Sequence, residues 1–240
     1  MQHTKSPPLY RHRSPHRELL RRYRHYGAQQ EFRVSVLLSI LTFAASLITV
    51  FYAIGYATES VSNSVTDIVL SNIPRHDVGG LFVYGTAFFV LLGVALLVAH
   101  PKRIPFALHA IALFYFIRAG FISLTHLGPF PSNATSQFDF GTIAGTFLGF
   151  GGDLFFSGHT GLAFLMALLF WHEKNIRYLF LAASVYFGAI VLLGHLHYSI
   201  DVASAFFITY GIFHIAEWLF PKDRAVFLAD EGEGGVIPRQ

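Results

Sequence analysis

The chain has no cysteine among its 240 residues, and only 13% of its residues are charged. Without thiols it can form neither disulfide bridges nor thiolate metal sites, and the redox compartment is left open. The charged fraction is far below the roughly 25% of soluble domains, while 53% of the residues are hydrophobic and 26 are phenylalanine. This composition disfavours a soluble globular protein and indicates a chain with much of its surface against lipid.

A helix that spans a bilayer needs about 20 mostly apolar residues. Six segments approach or meet that length, namely residues 34–56, 80–99, 104–125, 154–171, 177–195 and 199–220. The sequence therefore predicts an all-α integral membrane protein with six transmembrane helices in one domain, residues 34–220. The first segment is long and follows a basic tail, so we interpret it as a retained helix rather than a signal peptide.

Positive charge is concentrated at one set of helix ends. Eight of the 17 basic residues precede Val34, and among the others only Arg75 and Arg118 lie outside the loops and tail of that same side. Because Lys and Arg accumulate in cytoplasmic loops, both termini are predicted to be cytoplasmic. Residues 1–33 then form a basic cytoplasmic tail with anionic lipid headgroups as neighbours, rather than nucleic acid. The charged, Gly-rich residues 221–240 are predicted to be a flexible cytoplasmic tail.

This orientation brings ionisable and small polar residues of separate segments to the outer, extracytoplasmic side. They are Ser157, Gly158 and His159 at the outer end of the fourth predicted helix, His195, His197 and Asp201 at the turn between the last two, and Arg118 near the outer end of the third. Ionisable groups at membrane depth are costly, which makes them functional candidates.

The residue types indicate acid–base and nucleophilic chemistry on an anion. His197 and Asp201 are four residues apart, so on a helix they share a face and can form a hydrogen bond. A carboxylate on one imidazole nitrogen leaves the other free to act as a base or nucleophile. His159 is then available as a general acid, and Arg118 with the Ser157–Gly158 amides can hold an anion. The set predicts phosphoryl transfer through a phosphohistidine without a metal or cofactor.

Other interpretations of the same residues stay open at this point. His195, His197 and Asp201 are also possible metal ligands. Arg118 can be a structural partner of Asp153 or Asp201 rather than a phosphate ligand. His195 is either a supporting residue of the site or a surface histidine, while His109, His214 and Glu217 are predicted to be packing or interfacial residues.

The two motifs resemble those of the sphingomyelin synthases. Residues 151–160, Gly-Gly-Asp-x-x-x-Ser-Gly-His-Thr, are similar to that family's Cys-Gly-Asp-x-x-x-Ser-Gly-His-Thr, and residues 195–202, His-x-His-Tyr-Ser-x-Asp-Val, resemble its second motif. Arg118, Thr125 and Pro129 are similar to its third-helix motif, and Asp67 with Pro74 to the loop after its first helix. That family lies within the type 2 phosphatidic acid phosphatase (PAP2) superfamily, whose members share a six-helix core.

The resemblance implies specific roles. His197 would be the nucleophile, Asp201 its orienting partner and His159 the acid that protonates the leaving alcohol. Substrate or phosphate binding is predicted for Arg118, Ser157, Gly158, Asp153, His195 and Tyr198. The implied reaction moves phosphocholine or phosphoethanolamine from a phospholipid to an alcohol such as ceramide, with membrane lipids as the partners and a homo-oligomer as a possible assembly.

Departures from the phosphatase branch favour a synthase. Phosphatases of the superfamily carry a Ser-Arg pair where this chain has Ile190-Val191, and their Lys-x6-Arg-Pro motif is missing. Two alternatives remain, a hydrolase that uses water as the acceptor, either phospholipase C-like or a lipid phosphate phosphatase, and a non-catalytic lipid transporter or scaffold.

Overall fold

The computed structural model describes residues 15–131 and 154–229, and within these ranges the chain is helical with no strand. The helices in chain order are α1 (Pro15–Gly27), α2 (Gln30–Glu59), α3 (Gly79–Ala99), α4 (Ile104–Leu124), α5 (Gly158–Leu169), α6 (Lys174–Leu193), α7 (Ser199–Leu219) and α8 (Pro221–Leu228). A single 3₁₀ turn, Pro101–Arg103, joins α3 to α4.

Five of these helices are long and apolar enough to cross a membrane: α2, α3, α4 with its preceding 3₁₀ turn, α6 and α7. Their exposed faces carry large apolar side chains such as Leu91, Phe207 and Trp218, which are 70%, 81% and 78% exposed. Soluble monomeric proteins rarely expose this much contiguous apolar surface to water. The described structure is therefore compatible with a multi-pass membrane protein, as predicted.

The predicted fourth span, residues 154–171, contains the shorter helix α5, which has 12 residues. At 1.5 Å per residue it extends about 18 Å, less than the roughly 30 Å hydrocarbon core. It begins at the Ser157 N-cap, whose hydroxyl accepts a hydrogen bond from the Thr160 amide, and ends at Phe170. A sixth span and the orientation of the termini stay predictions.

Helix α5 nevertheless lies at the centre of the main core. It packs against α6 and α7, while α4 packs against α2 and α7. Small residues permit the close approach: a Cβ on Gly161 would lie 2.8 Å from the ring of Phe114 and from the Thr209 hydroxyl. Eight of the 12 residues of α5 are buried, all of them between Thr160 and Leu169, so most of this helix packs inside the bundle.

The prediction of a flexible tail is wrong for residues 221–228, because these residues form helix α8. Phe227 is buried in the main core, and Asp223 hydrogen-bonds to the His109 ring at 2.9 Å and to the Ser35 hydroxyl. Arg224 pairs with Glu217 at 3.0 Å. Composition alone indicated a solvated tail, but these long-range contacts stabilise a helix.

Candidate active site

His197 and Asp201 form a buried hydrogen-bonded pair. The distance from His197 Nδ1 to Asp201 Oδ2 is 3.1 Å, and the two side chains are 6% and 0% exposed. A carboxylate only accepts hydrogen bonds, so Nδ1 carries the hydrogen and Nε2 presents its lone pair. The predicted contact is present, although not on one helical face, because His197 precedes helix α7, which begins at Ser199.

The helix start explains this geometry. Asp201 is the third residue of α7, and its Oδ2 also accepts a 3.0 Å hydrogen bond from the backbone amide of the N-cap residue Tyr198. A carboxylate in the first turn is favoured by the positive end of the helix dipole. Asp201 thus stabilises the start of α7 and orients the imidazole of His197. Its other oxygen, Oδ1, is buried with no hydrogen-bond partner in the part of the chain that the structure describes.

A backbone hydrogen bond joins the two motifs. The Ser157 amide, directly before α5, donates to the Asp201 carbonyl at 3.0 Å. The Ser157 hydroxyl is fully buried and accepts from Thr160 Oγ1 at 3.1 Å, so this side chain caps α5. The amino-terminal ends of α5 and α7 therefore lie side by side.

Arg118 of α4 lies against the start of α5. It is 4% exposed, and its Nε donates to the Phe156 carbonyl at 3.4 Å. A Cβ on Gly158 would lie 3.0 Å from Nε and 3.2 Å from Cζ of Arg118, so glycine is what allows this approach. A guanidinium beside a helix amino terminus provides two sources of positive potential for an anion.

The sequence offers two alternative partners for Arg118, namely Asp153 and Asp201. Within the described residues, the Asp201 carboxylate bonds to His197 and Tyr198 rather than to Arg118. Asp153, together with Gly151 and Gly152, lies outside the described residues, so its predicted part in binding stays a prediction.

The two remaining histidines of the predicted site pack against aromatic rings. His159 is half-buried, with its ring 4.4 Å from that of Phe82 and 5.7 Å from that of Phe187. His195 is 3% exposed and lies edge-on to Phe130 at 5.5 Å. His195 is therefore not a surface histidine, and a supporting position beside the site agrees better with its burial.

Three residues within the two motifs have a positive φ, in the left-handed half of the Ramachandran map. Phe155 and Phe156, which precede Ser157, have φ of 128° and 28°, and His195 has φ of 54°. Non-glycine residues rarely adopt such angles, and they cluster at functional sites where surrounding contacts hold them. Their position supports a functional interpretation of both motifs.

The loop after α2 contributes a residue that the chemical reasoning did not place in the site. Asp67 is 7% exposed; its Oδ2 accepts from the Ser199 amide at 2.7 Å, and its Oδ1 accepts from Val69 and Leu70. Burial raises the pKa of this carboxyl, but the backbone hydrogen bonds from Leu70, Ser199 and Val69 outweigh it and leave the pKa lowered. Its one signal in the sequence is the resemblance of this loop to that of the sphingomyelin synthases.

Tyr198 is held by the loops that follow α2 and α4. Its hydroxyl donates to the Gly128 carbonyl at 2.7 Å and accepts from the Val65 amide at 3.2 Å. The side chain is 1% exposed, and both hydrogen bonds of its hydroxyl hold loop backbone in place. The prediction that Tyr198 binds substrate is not supported by this environment, which indicates that it anchors the start of α7.

Residues 15–131 and 154–229 contain no preformed metal-binding site, because no group of three His, Asp or Glu side chains in these ranges could hold a metal ion. His197 and Asp201 bond to each other in this part of the chain. Metal binding by His195, His197 and Asp201 stays an alternative.

Residues 151–218, which contain both motifs, match the family model described as PAP2 superfamily C-terminal. No curated protein and no solved structure matches the chain. The match supports a place in the PAP2 superfamily, and the apolar helices are compatible with a multi-pass membrane protein. The likeness to sphingomyelin synthases within it stays a prediction.

Proposed function

We propose that the chain is a membrane phosphotransferase of the sphingomyelin-synthase type, which moves a phospholipid headgroup to a lipid alcohol such as ceramide on the extracytoplasmic side. The observation that carries the proposal is the buried His197–Asp201 pair, joined through the Ser157 amide to the start of α5 where Arg118 lies. An imidazole nucleophile with an orienting carboxylate lies next to a positively charged site for the phosphate oxygens. Transfer of a phosphoryl group uses this combination.

In the first step, His197 Nε2 attacks the phosphorus of the phospholipid, and the bond from phosphorus to the diacylglycerol oxygen breaks. His159 gives its proton to that oxygen, so diacylglycerol leaves as a neutral alcohol. The headgroup phosphate is then bonded to His197, and Asp201 stabilises the positive imidazole through Nδ1. Arg118 and the α5 amides hold the phosphate oxygens.

In the second step, the acceptor hydroxyl gives its proton to His159 and its oxygen attacks phosphorus. The bond from phosphorus to Nε2 breaks, which restores both histidines to their starting protonation states. Hydrolysis has the same atom balance, with water as the acceptor.

Hydrolysis is the second candidate, favoured by the match to a superfamily of lipid phosphatase type. One structural feature supports transfer instead. Val191, at the position of the phosphatase arginine, is fully buried in an apolar cluster with Val78, Phe82 and Ile190, and its carbonyl accepts hydrogen bonds from the Leu196 and His197 amides. This position supports the backbone of the nucleophile and offers no charge to a phosphomonoester.

The test is a transfer assay with purified protein in vesicles that contain headgroup-labelled phosphatidylcholine or phosphatidylethanolamine, with and without ceramide. Label on ceramide supports the synthase, whereas water-soluble phosphocholine, phosphoethanolamine or phosphate supports the hydrolase. Release of no headgroup from any lipid contradicts both and favours the transporter or scaffold. Activity lost with a chelator and restored by one metal would favour the metal alternative.

Variants of the two histidines test the roles directly. We expect His197→Ala to abolish turnover and His159→Ala to lower it about 10²–10⁴-fold, the usual contribution of a general acid. His214→Ala is the matched control, because His214 is an exposed histidine of α7 whose partner is Glu217. Full activity in His197→Ala, with normal insertion and purification, overturns the mechanism.

A further inference from the structure

An apolar groove of about 320 Å³ lies at the end of the bundle opposite the candidate active site. It is lined by Tyr23, Gly27, Phe32, Arg33, Val36, Leu37, Pro101 and Ile104. Ligand pockets of proteins occupy roughly 300–1,000 Å³, so this groove has room for part of one hydrocarbon chain.

Helix α1 is fixed over the groove by contacts to the end of α3. The Tyr23 hydroxyl donates to the Val98 carbonyl at 3.0 Å, and Arg22 Nη1 donates to the Ala99 carbonyl at 3.1 Å. A cation at a helix carboxyl terminus is favoured by the helix dipole. The groove is therefore formed before any ligand arrives.

The rim of the groove is positively charged. Arg33 is exposed and makes no hydrogen bond or ion pair through its side chain in the described ranges, and the same holds for Arg17 and Arg24 of α1. Glu18, the acidic residue of α1, is engaged by Arg21 at 2.7 Å. Glu31 precedes Arg33 by two positions, and residues two apart do not face each other on a helix.

We propose that this groove binds an anionic glycerophospholipid of the adjoining leaflet, with one acyl chain against Val36 and Leu37 and the phosphate on Arg33. The apolar lining accepts the chain, while the exposed guanidinium stands at the rim where the headgroup emerges. A basic residue near an anionic membrane surface contributes about 1 kcal/mol of attraction, and α1 adds further positive charge beside it. The charge distribution predicts that this leaflet is the cytoplasmic one, and the proposal is independent of the proposed reaction.

The experiment is a native mass spectrometry titration of the full-length protein in detergent with phosphatidylglycerol or phosphatidylcholine, which gives the dissociation constant of the first bound lipid. We expect tighter binding of phosphatidylglycerol. Arg33→Gln should weaken that binding about five-fold, the factor that corresponds to about 1 kcal/mol per basic residue, and Arg33→Lys should retain most of it. Arg75→Gln is the matched control, because Arg75 is an exposed arginine in the loop at the other end of α2.

A second variant tests the chain-binding part of the groove. Val36→Trp places a large side chain in the groove and should weaken the first binding event for both lipids, with Arg33 intact. Equal affinity of the wild type for the two lipids overturns the proposal. So does equal weakening by Arg33→Gln and Arg75→Gln, which would mean diffuse attraction to charge, or unchanged binding in a folded Val36→Trp protein.

Discussion

At the scale of single residues, the absence of a side chain at Gly158 controls the anion-binding part of the candidate site. An added Cβ would lie 3.0 Å from Arg118 Nε, so Gly158→Ala must displace the guanidinium from the start of α5. The guanidinium must move by a few tenths of an ångström. Since a displacement near 1 Å can cost about 10² in rate, we expect a smaller loss, up to about 10-fold, in headgroup release. The measurement is single-turnover kinetics in vesicles.

The control for this substitution is Gly120→Ala, since a Cβ there meets nothing within 4 Å and Gly120 lies on the same helix as Arg118. Equal activity of Gly158→Ala and the wild type would mean that Arg118 does not hold the phosphate in its observed position.

Asp67 provides a pH-dependent prediction. Its pKa is lowered in the folded protein, so the stability it contributes is present above the ordinary pKa of 3.8 and is lost as pH falls through the folded-state pKa. Asp67→Asn should therefore lower the free energy of unfolding by about 1.5–3 kcal/mol at pH 7. The difference from the wild type should narrow below about pH 4.

Thermal unfolding in detergent across this pH range measures the effect. Asp77→Asn is the matched control, because Asp77 is an exposed acid of the same loop that accepts a hydrogen bond from the Gly79 amide. A destabilisation by Asp67→Asn that does not change with pH would contradict the assignment to its charge.

At the scale of elements, α5 depends on close approach to α4 and α7. Gly161→Ala would bring a Cβ to 2.8 Å from the Phe114 ring and Thr209 Oγ1. Overpacking of this kind typically costs about 1–3 kcal/mol. We expect a lower unfolding temperature together with lower activity, because α5 positions Ser157 and His159.

Gly211→Ala is suitable as the control for this element, since a Cβ at that position of α7 has no neighbour within 4 Å. If the two variants unfold at the same temperature, α5 tolerates displacement and its packing is looser than the structure indicates.

At the scale of the whole molecule, the lack of cysteine makes the orientation directly testable. Single cysteines at Ser71 and Lys222, both exposed, place a thiol in the loop after α2 and in α8. The charge distribution predicts that a membrane-impermeant maleimide labels Ser71→Cys from outside intact cells and Lys222→Cys only after the membrane is opened. The reverse pattern would contradict the predicted orientation and place the candidate site on the cytoplasmic side.

Local sequence was sufficient for the long apolar helices, because length and hydropathy are properties of consecutive residues. It also predicted the His197–Asp201 contact, although from a shared helical face that the pair does not have, because His197 precedes α7. It failed for α8, whose short helix depends on Phe227 in the core and on Asp223 bonded to His109 of α4.

The contacts that assemble the candidate site join residues far apart in sequence. The Ser157 amide meets the Asp201 carbonyl, Arg118 lies against Gly158, and Asp67 accepts from Ser199. No periodicity or spacing encodes such pairs, because each depends on how α4, α5 and α7 pack and on where the loop after α2 returns. Sequence thus specified which residues can do the chemistry, and packing specified that the starts of α5 and α7 meet.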